Sequence, residues 1–176
     1  MLIAKTFHDV LADDMQDLHS AEKYQIKALE KMAVAASNNQ MKTIFCKHLE
    51  QSRNHLLRMA EAAKSIGIEP DGKQSSGMMG IVMDMECILR SEGCYARDIQ
   101  LICTAQKIGN YQLVAYSSAC AVAGLLKMPK VVNILQANLA DKNAAKAELA
   151  SLGDHRATCI QFSPAAKDIY KRQKAI

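Results

Sequence analysis

Glu22 with Gln25, Glu50 with Arg53, Gly109 with Gln112 and Lys142 with Lys146 interrupt four apolar stripes of this 176-residue chain. The first three pairs are spaced i, i+3 and the last i, i+4, so each pair shares one face of a helix. Carboxylates at such positions hold metal ions. A carboxylate-bridged two-metal centre in a helix bundle takes a Glu from each of two helices and Glu-x-x-His from each of the other two. The Glu bridges both cations, the His caps one, and the carboxylates balance the charge. Here the residue three after Glu50 is Arg53, and lysines interrupt the last stripe. A protonated guanidinium or ammonium has no lone pair to offer and repels a cation.

Four long helices must carry these pairs. The first is expected over Phe7–Ala36 behind an N-cap at Thr6, with Leu11, Met15, Leu18, Leu29, Met32 and Ala36 on its buried face. The short turn Ser37-Asn38-Asn39 returns the chain antiparallel. A second helix then runs over Gln40–Ile66 and stops at Gly67. Its core face reads Met41, Phe45, Leu49, Leu56, Met59 and Ala63. Glu50 lies beside that face. It either points inward or pairs with Arg53 at the surface, and pattern alone leaves both open.

The segment Glu69–Gly80 is a linker rich in Gly, Ser, Pro and Asp. A short helix follows over Met79–Ser91, with Val82, Met85 and Leu89 on one face. The third long helix is expected over Tyr95–Leu126, with Ile102, Ala105, Tyr116, Ala119 and Ala123 buried. Gly109 in mid-helix costs about 1 kcal/mol relative to alanine and asks for close packing or a lost side chain as its reason. After Lys127-Met128-Pro129 the last helix spans Lys130–Leu152, with Val132, Leu135, Leu139 and Leu149 on its stripe. Lys142 and Lys146 either snorkel to water or meet Glu22 or Glu50. Residues 1–153 form one bundle, and 154–176 form a weakly structured tail, either partly docked through Ile160 and Phe162 or flexible.

The rest of the composition narrows the class. Alanine, leucine and methionine dominate a 49% apolar set, with 3 prolines, 8 glycines and no tryptophan. An all-α protein follows. The net charge of +4 is mild and forms no basic stripe on a long helix, which argues against nucleic acid as a partner. No run reaches the length of a membrane span. The first residues, MLIAKTFHDV, lack the apolar core of a signal peptide, so a cytoplasmic location is expected. Six cysteines without paired spacing read as reduced, partly buried thiols. Lone histidines such as His8, His19 and His155 read as surface residues. No nucleophile–base arrangement emerges from spacing.

Two hairpins joined by a long crossover make the ferritin-like antiparallel four-helix bundle, with a short extra helix in the crossover. The segments FHDVLADDMQDLHSAEKYQIKALEKMA, MKTIFCKHLEQSRNHLLRM and LICTAQKIGNYQLVAYSS resemble the bacterial YciF/YciE family of ferritin-like proteins, over roughly Phe7 to Leu152. The resemblance implies a dimer, a link to bacterial stress responses and no established biochemical activity. It matches metal positions to Glu22 and Glu50. It puts Arg53 where a His stands, uncharged Gly109, Asn110 and Gln112 where acidic or His residues stand, and Asp141 and Lys142 where paired acids stand.

The expectation is therefore a degenerate centre, with Glu22 and Glu50 neutralised by Arg53 and Lys142, with or without Lys146. It is not an enzyme in this reading, and it takes no cofactor. An alternative is an iron- or manganese-binding oxidative-stress protein with the shifted ligands Glu22, Glu50, His48, His55 and Asp141. His55 fits that set poorly, because it lies about 140° around the helix from Glu50. His48 is likewise displaced. A second alternative is a helical adaptor or immunity module that binds a protein partner.

Overall fold

The computed structural model describes residues 6–37, 39–91 and 94–161. Five helices account for nearly all of them: α1 (Phe7–Ala35), α2 (Asn39–Ser65), α3 (Ser76–Leu89), α4 (Cys94–Leu125) and α5 (Pro129–Gln161). Thr6 starts α1 through a capping box. Its hydroxyl accepts from the Asp9 amide at 3.2 Å, and its own amide donates to the Asp9 carboxylate at 2.8 Å. Gly67, at φ +68°, ends α2 in the left-handed conformation that glycine adopts without a Cβ penalty. The α1–α2 turn is held by α4. Asp98 accepts from the Ser37 amide at 3.1 Å, and Arg97 donates to the Ala35 carbonyl at 3.2 Å.

The long helices form a ring in which α1 packs on α2 and α4, and α5 packs on the same two, while the backbones of the diagonal pairs stay apart. Neighbours in the ring are antiparallel, so α2 and α4 run parallel across the diagonal. The crossover must therefore span the length of the bundle, and α3 does so while packing on α1 and α4. Met78 and Met85 of α3 are buried core residues.

The last helix departs from its expected extent. It continues past Leu152 to Gln161, because no proline or capping glycine conformation stops it at Gly153. The expected docking of Ile160 and Phe162 concerns side chains outside the described residues. The cysteines depart too. Cys46, Cys87 and Cys103 are free and exposed, and Cys120 is half-buried, since the first three fall on the outer faces of their helices. His19, expected at the surface, is buried under the crossover segment.

The apolar core is divided in two. One cluster joins Ala28, Leu29 and Met32 with Met41, Phe45, Leu101, Ile102, Ile108 and Leu149. The other joins Leu11, Met15 and Leu18 with Met59, Ala63, Tyr116, Ala119, Val131 and Leu135. Between them, near the middle of all four long helices, lies a layer of polar side chains.

Candidate functional site

That layer is centred on Glu22, which has no exposed surface. An ionised carboxylate in such a place needs charge and hydrogen bonds around it. It has both. The Lys142 ammonium from α5 lies 2.9 Å from Oε1 and donates to Oε2 at 3.1 Å. The Tyr116 hydroxyl from α4 donates to Oε1 at 2.8 Å, and His55 Nδ1 from α2 approaches the same oxygen at 3.3 Å. All four long helices meet on this one side chain.

A second tier of contacts fixes the first. Lys142 also donates to Gln25 Oε1 at 2.6 Å, and Asn138 donates to the Tyr116 hydroxyl at 3.2 Å. The other ring nitrogen of His55, Nε2, lies 3.2 Å from Asp141 Oδ2. With a carboxylate at each ring nitrogen, both contacts are hydrogen bonds only when both nitrogens carry protons. Arg58 in turn donates to Asp141 at 2.7 Å and to Asn138 at 3.0 Å. The result is a continuous chain of polar contacts, Lys142–Glu22–His55–Asp141–Arg58, leading from the bundle axis to the surface.

Burial alone would raise the Glu22 carboxyl, but Lys142 and His55 outweigh it and hold the group at about 2, below its ordinary 4.5. Burial pulls the Lys142 ammonium below its usual value, with Glu22 opposing. The contact of one nitrogen with both carboxylate oxygens is that of a charged pair. Burial, reinforced by the Glu22 charge, drives the Tyr116 hydroxyl far upward, so it keeps its proton and donates it to Glu22.

The structure sorts the sequence-derived candidates into three groups. Glu22, Lys142 and Asp141 come together as just described. Glu50 and Arg53 do not reach the centre. Their side chains are 65% and 49% exposed and pair with each other, and Arg53 also reaches Glu30 at 3.2 Å. The inward expectation for both is corrected: Glu50 lies about 200° around α2 from the buried His48 and 200° from Ser52, which turns it outward. Lys146 is exposed as well. Gly109 is half-buried with nothing within 4 Å of where a Cβ would sit, so close packing is not its reason. Gln112 is fully buried, and neither amide atom has a partner among the described residues.

His55 and Asn138 are the central residues that sequence reasoning misplaced or missed. His55 fits the alternative ligand set poorly because it diverges from Glu50, yet that divergence is what carries it inward. A signal was present: Met41, Phe45, His48, Ser52, His55 and Met59 are spaced by alternating fours and threes and are all buried. Val131, Leu135, Asn138, Lys142 and Leu149 follow the same rule on α5. His48 is also buried, but it bonds Glu148 at 3.0 Å rather than Glu22.

These residues do not fit a two-metal centre. Glu22, the fully buried carboxylate of the layer, holds an ammonium at bonding distance, and the two remaining anionic candidates, Glu50 and Asp141, are committed to arginines. Among the described residues, no three His, Cys, Asp or Glu side chains gather as a metal-binding group.

The bundle and its central layer define a ferritin-like all-α protein in which a lysine–glutamate pair occupies the axis. The chain belongs to the family described as a domain of unknown function, DUF892, whose pattern matches residues 6–158. It is 29% identical over 150 residues to Protein YciF of Escherichia coli strain K12, covering 84% of this chain and 90% of that protein. The crystal structure of the E. coli stress protein YciF superposes with a TM-score of 0.84 at 27% identity, covering 88% of this chain and 99% of the other. YcfI of Rhodopseudomonas palustris, for which a structural role has been proposed, superposes at 0.79 with 26% identity, covering 83% and 94%. A ferritin-like diiron-carboxylate protein from Bacillus anthracis superposes at 0.67 with 17% identity, covering 85% and 99%, a likeness of fold alone.

Proposed function

We propose that this chain is a non-enzymatic ferritin-like bundle whose metal centre has been replaced by an internal ion pair, and that it serves bacterial stress physiology as a dimeric structural protein of the cytoplasm. The observation that carries this reading is the Lys142 ammonium seated on both oxygens of Glu22. A cation bound to that carboxylate would sit against a fixed positive charge. At 4 Å, like unit charges repel by about 4 kcal/mol at an effective dielectric of 20. The stress and structural roles are carried over from the descriptions of the E. coli and R. palustris relatives. No helix among the described residues is long and apolar enough to cross a membrane, in keeping with this reading.

Elemental analysis tests it. The protein is purified without a metal-binding tag from cells supplemented with iron and manganese. Metal content near zero per chain is expected. About two equivalents of either metal would overturn the proposal and restore a ligand set built on Glu22, His55 and Asp141.

A further inference from the structure

The crossover segment does more than span the bundle: it walls a groove on the outer side of α1. One face of α1 pins it there. Gln16 donates to the Glu69 carbonyl at 2.9 Å, His19 Nδ1 lies 3.3 Å from Asp71, Lys23 pairs with Asp71, and the Ser75 amide donates to Ser20 Oγ at 3.0 Å. At Gly72 the backbone passes so close to Gln16 that a Cβ would fall 2.2 Å from its amide nitrogen. Tyr111 locks the far end through Ser75 Oγ at 2.9 Å.

The groove encloses about 410 Å³, between Ser20, Lys23, Tyr24 and Lys27 on one side and Lys73 and Gln74 on the other. This volume is in the range of small-molecule sites. Three ammonium groups face it against the single carboxylate of Asp71, which His19 and Lys23 already share. Lys27 and Lys73 make no ion pair among the described residues. Asp14 lies within electrostatic reach of Lys73 without pairing with it.

We propose that this groove binds a small phosphate monoester, with the phosphate between Lys27 and Lys73 and an uncharged, hydroxyl-bearing body against Tyr24, Ser20 and Gln74. Two unpaired ammoniums match the charge of −1.5 to −2 that a phosphate monoester carries near neutral pH. A monocarboxylate would neutralise only one of them. A bare phosphate would leave the tyrosine, serine and amide side of the groove unused. The amide offers both donors and an acceptor, and the hydroxyl offers both roles, which suits alcohol groups.

The test uses the full chain, ¹⁵N-labelled, titrated with ribose 5-phosphate, inorganic phosphate and succinate at low salt. Ribose 5-phosphate is expected to shift the amide signals of residues 20–27 and 71–75 saturably. The Lys27→Gln/Lys73→Gln variant should weaken it at least about tenfold, since charged hydrogen bonds are lost. The Lys42→Gln/Lys64→Gln variant, with the same loss of charge at exposed positions on α2, should bind like the parent. All four lysines are exposed, so both variants fold. No saturable shift at millimolar probe would overturn the proposal, as would equal weakening by the control variant. Succinate binding as tightly as ribose 5-phosphate would overturn the phosphate assignment. Inorganic phosphate binding as tightly would overturn the role of Tyr24, Ser20 and Gln74.

Discussion

Lys142 touches Glu22 at two oxygens, 2.9 and 3.1 Å away, and both side chains are almost entirely removed from water. Such a pair contributes little net stability, because desolvation offsets attraction, but breaking it leaves a buried charge without its partner. The Lys142→Met variant is therefore expected to lose about 3–5 kcal/mol. The double variant Glu22→Leu/Lys142→Met should recover most of that loss or exceed the parent by about 1–4 kcal/mol. Urea denaturation of the three proteins checks this. A double variant as unstable as Lys142→Met would mean that the remaining polar layer depends on Glu22 itself.

Gln112 offers the opposite case. Its amide is fully buried with no partner among the described residues, which costs about 1–3 kcal/mol relative to a satisfied or apolar group. Methionine matches its length and carries no strong donor or acceptor. Gln112→Met should raise the unfolding free energy by about 1–2 kcal/mol. A loss instead would assign the amide a hydrogen-bonding duty in the layer.

The four long helices were legible because their apolar residues recur at threes and fours, and their ends because Thr6, Gly67 and Pro129 are strong local signals. The composition of the central layer was legible only in part. Glu22 and Lys142 stood out because charge inside an apolar stripe is rare. His55 and Asn138 did not, because reading core faces from hydrophobicity moves the stripe onto neighbouring leucines. Leu56 and Leu139 took the places of His55 and Asn138 in the expected core, and both are only half-buried. The Glu50–Arg53 pair looked like a motif because its spacing is that of a ligand pair, but spacing does not say which way a face points. The partners of a buried polar group come from other helices, and one-dimensional spacing holds no record of them.

Acid should weaken the fold in two stages. His48 is pulled below its ordinary 6.5, chiefly by burial, with Glu148 opposing. The unfolded chain then takes up a proton first as pH falls below 6.5, so stability declines there. Glu22 sits at about 2 in the folded state against an ordinary 4.5. Its stabilisation is full above pH 4.5 and is lost between about 4.5 and 2, and a difference of that size is worth roughly 3 kcal/mol. Urea midpoints at pH 7.5, 5.5 and 3.5 should fall in that order. In Glu22→Gln, the decline below pH 4.5 should be smaller than in the parent. An unchanged acid limb would exclude Glu22 as its source.

Glu50 and Arg53 give a prediction of no effect. Both are exposed, and surface pairs at i, i+3 contribute about 0.2–1 kcal/mol at most. Glu50→Ala and Arg53→Ala should each shift stability by less than about 1 kcal/mol, and less still in high salt. A larger loss from Glu50→Ala, measured by urea denaturation, would restore it to the centre of the bundle.

The proposed dimer has a physically favoured face. From Ile108 to its end at Leu125, α4 carries no charged residue on any side. Val114 is 72% and Leu125 is 65% exposed, and a groove of about 540 Å³ runs between Leu113, Val114 and Ser117 of α4 and Leu139 and Asn143 of α5. Two copies each carrying +4 repel when charged faces meet, but not when this one does, and uncharged residues with exposed aliphatics are what the core of an interface contains. A twofold contact repeats each residue on both sides, so one substitution acts twice. Val114→Glu would set two carboxylates into the same apolar patch. Sedimentation equilibrium should show the parent as a dimer and Val114→Glu shifted toward monomer by at least about tenfold in dissociation constant, with an unchanged thermal unfolding onset at low concentration. A parent dimer that Val114→Glu leaves intact would place the contact elsewhere, and a monomeric parent would remove the dimer from the proposal.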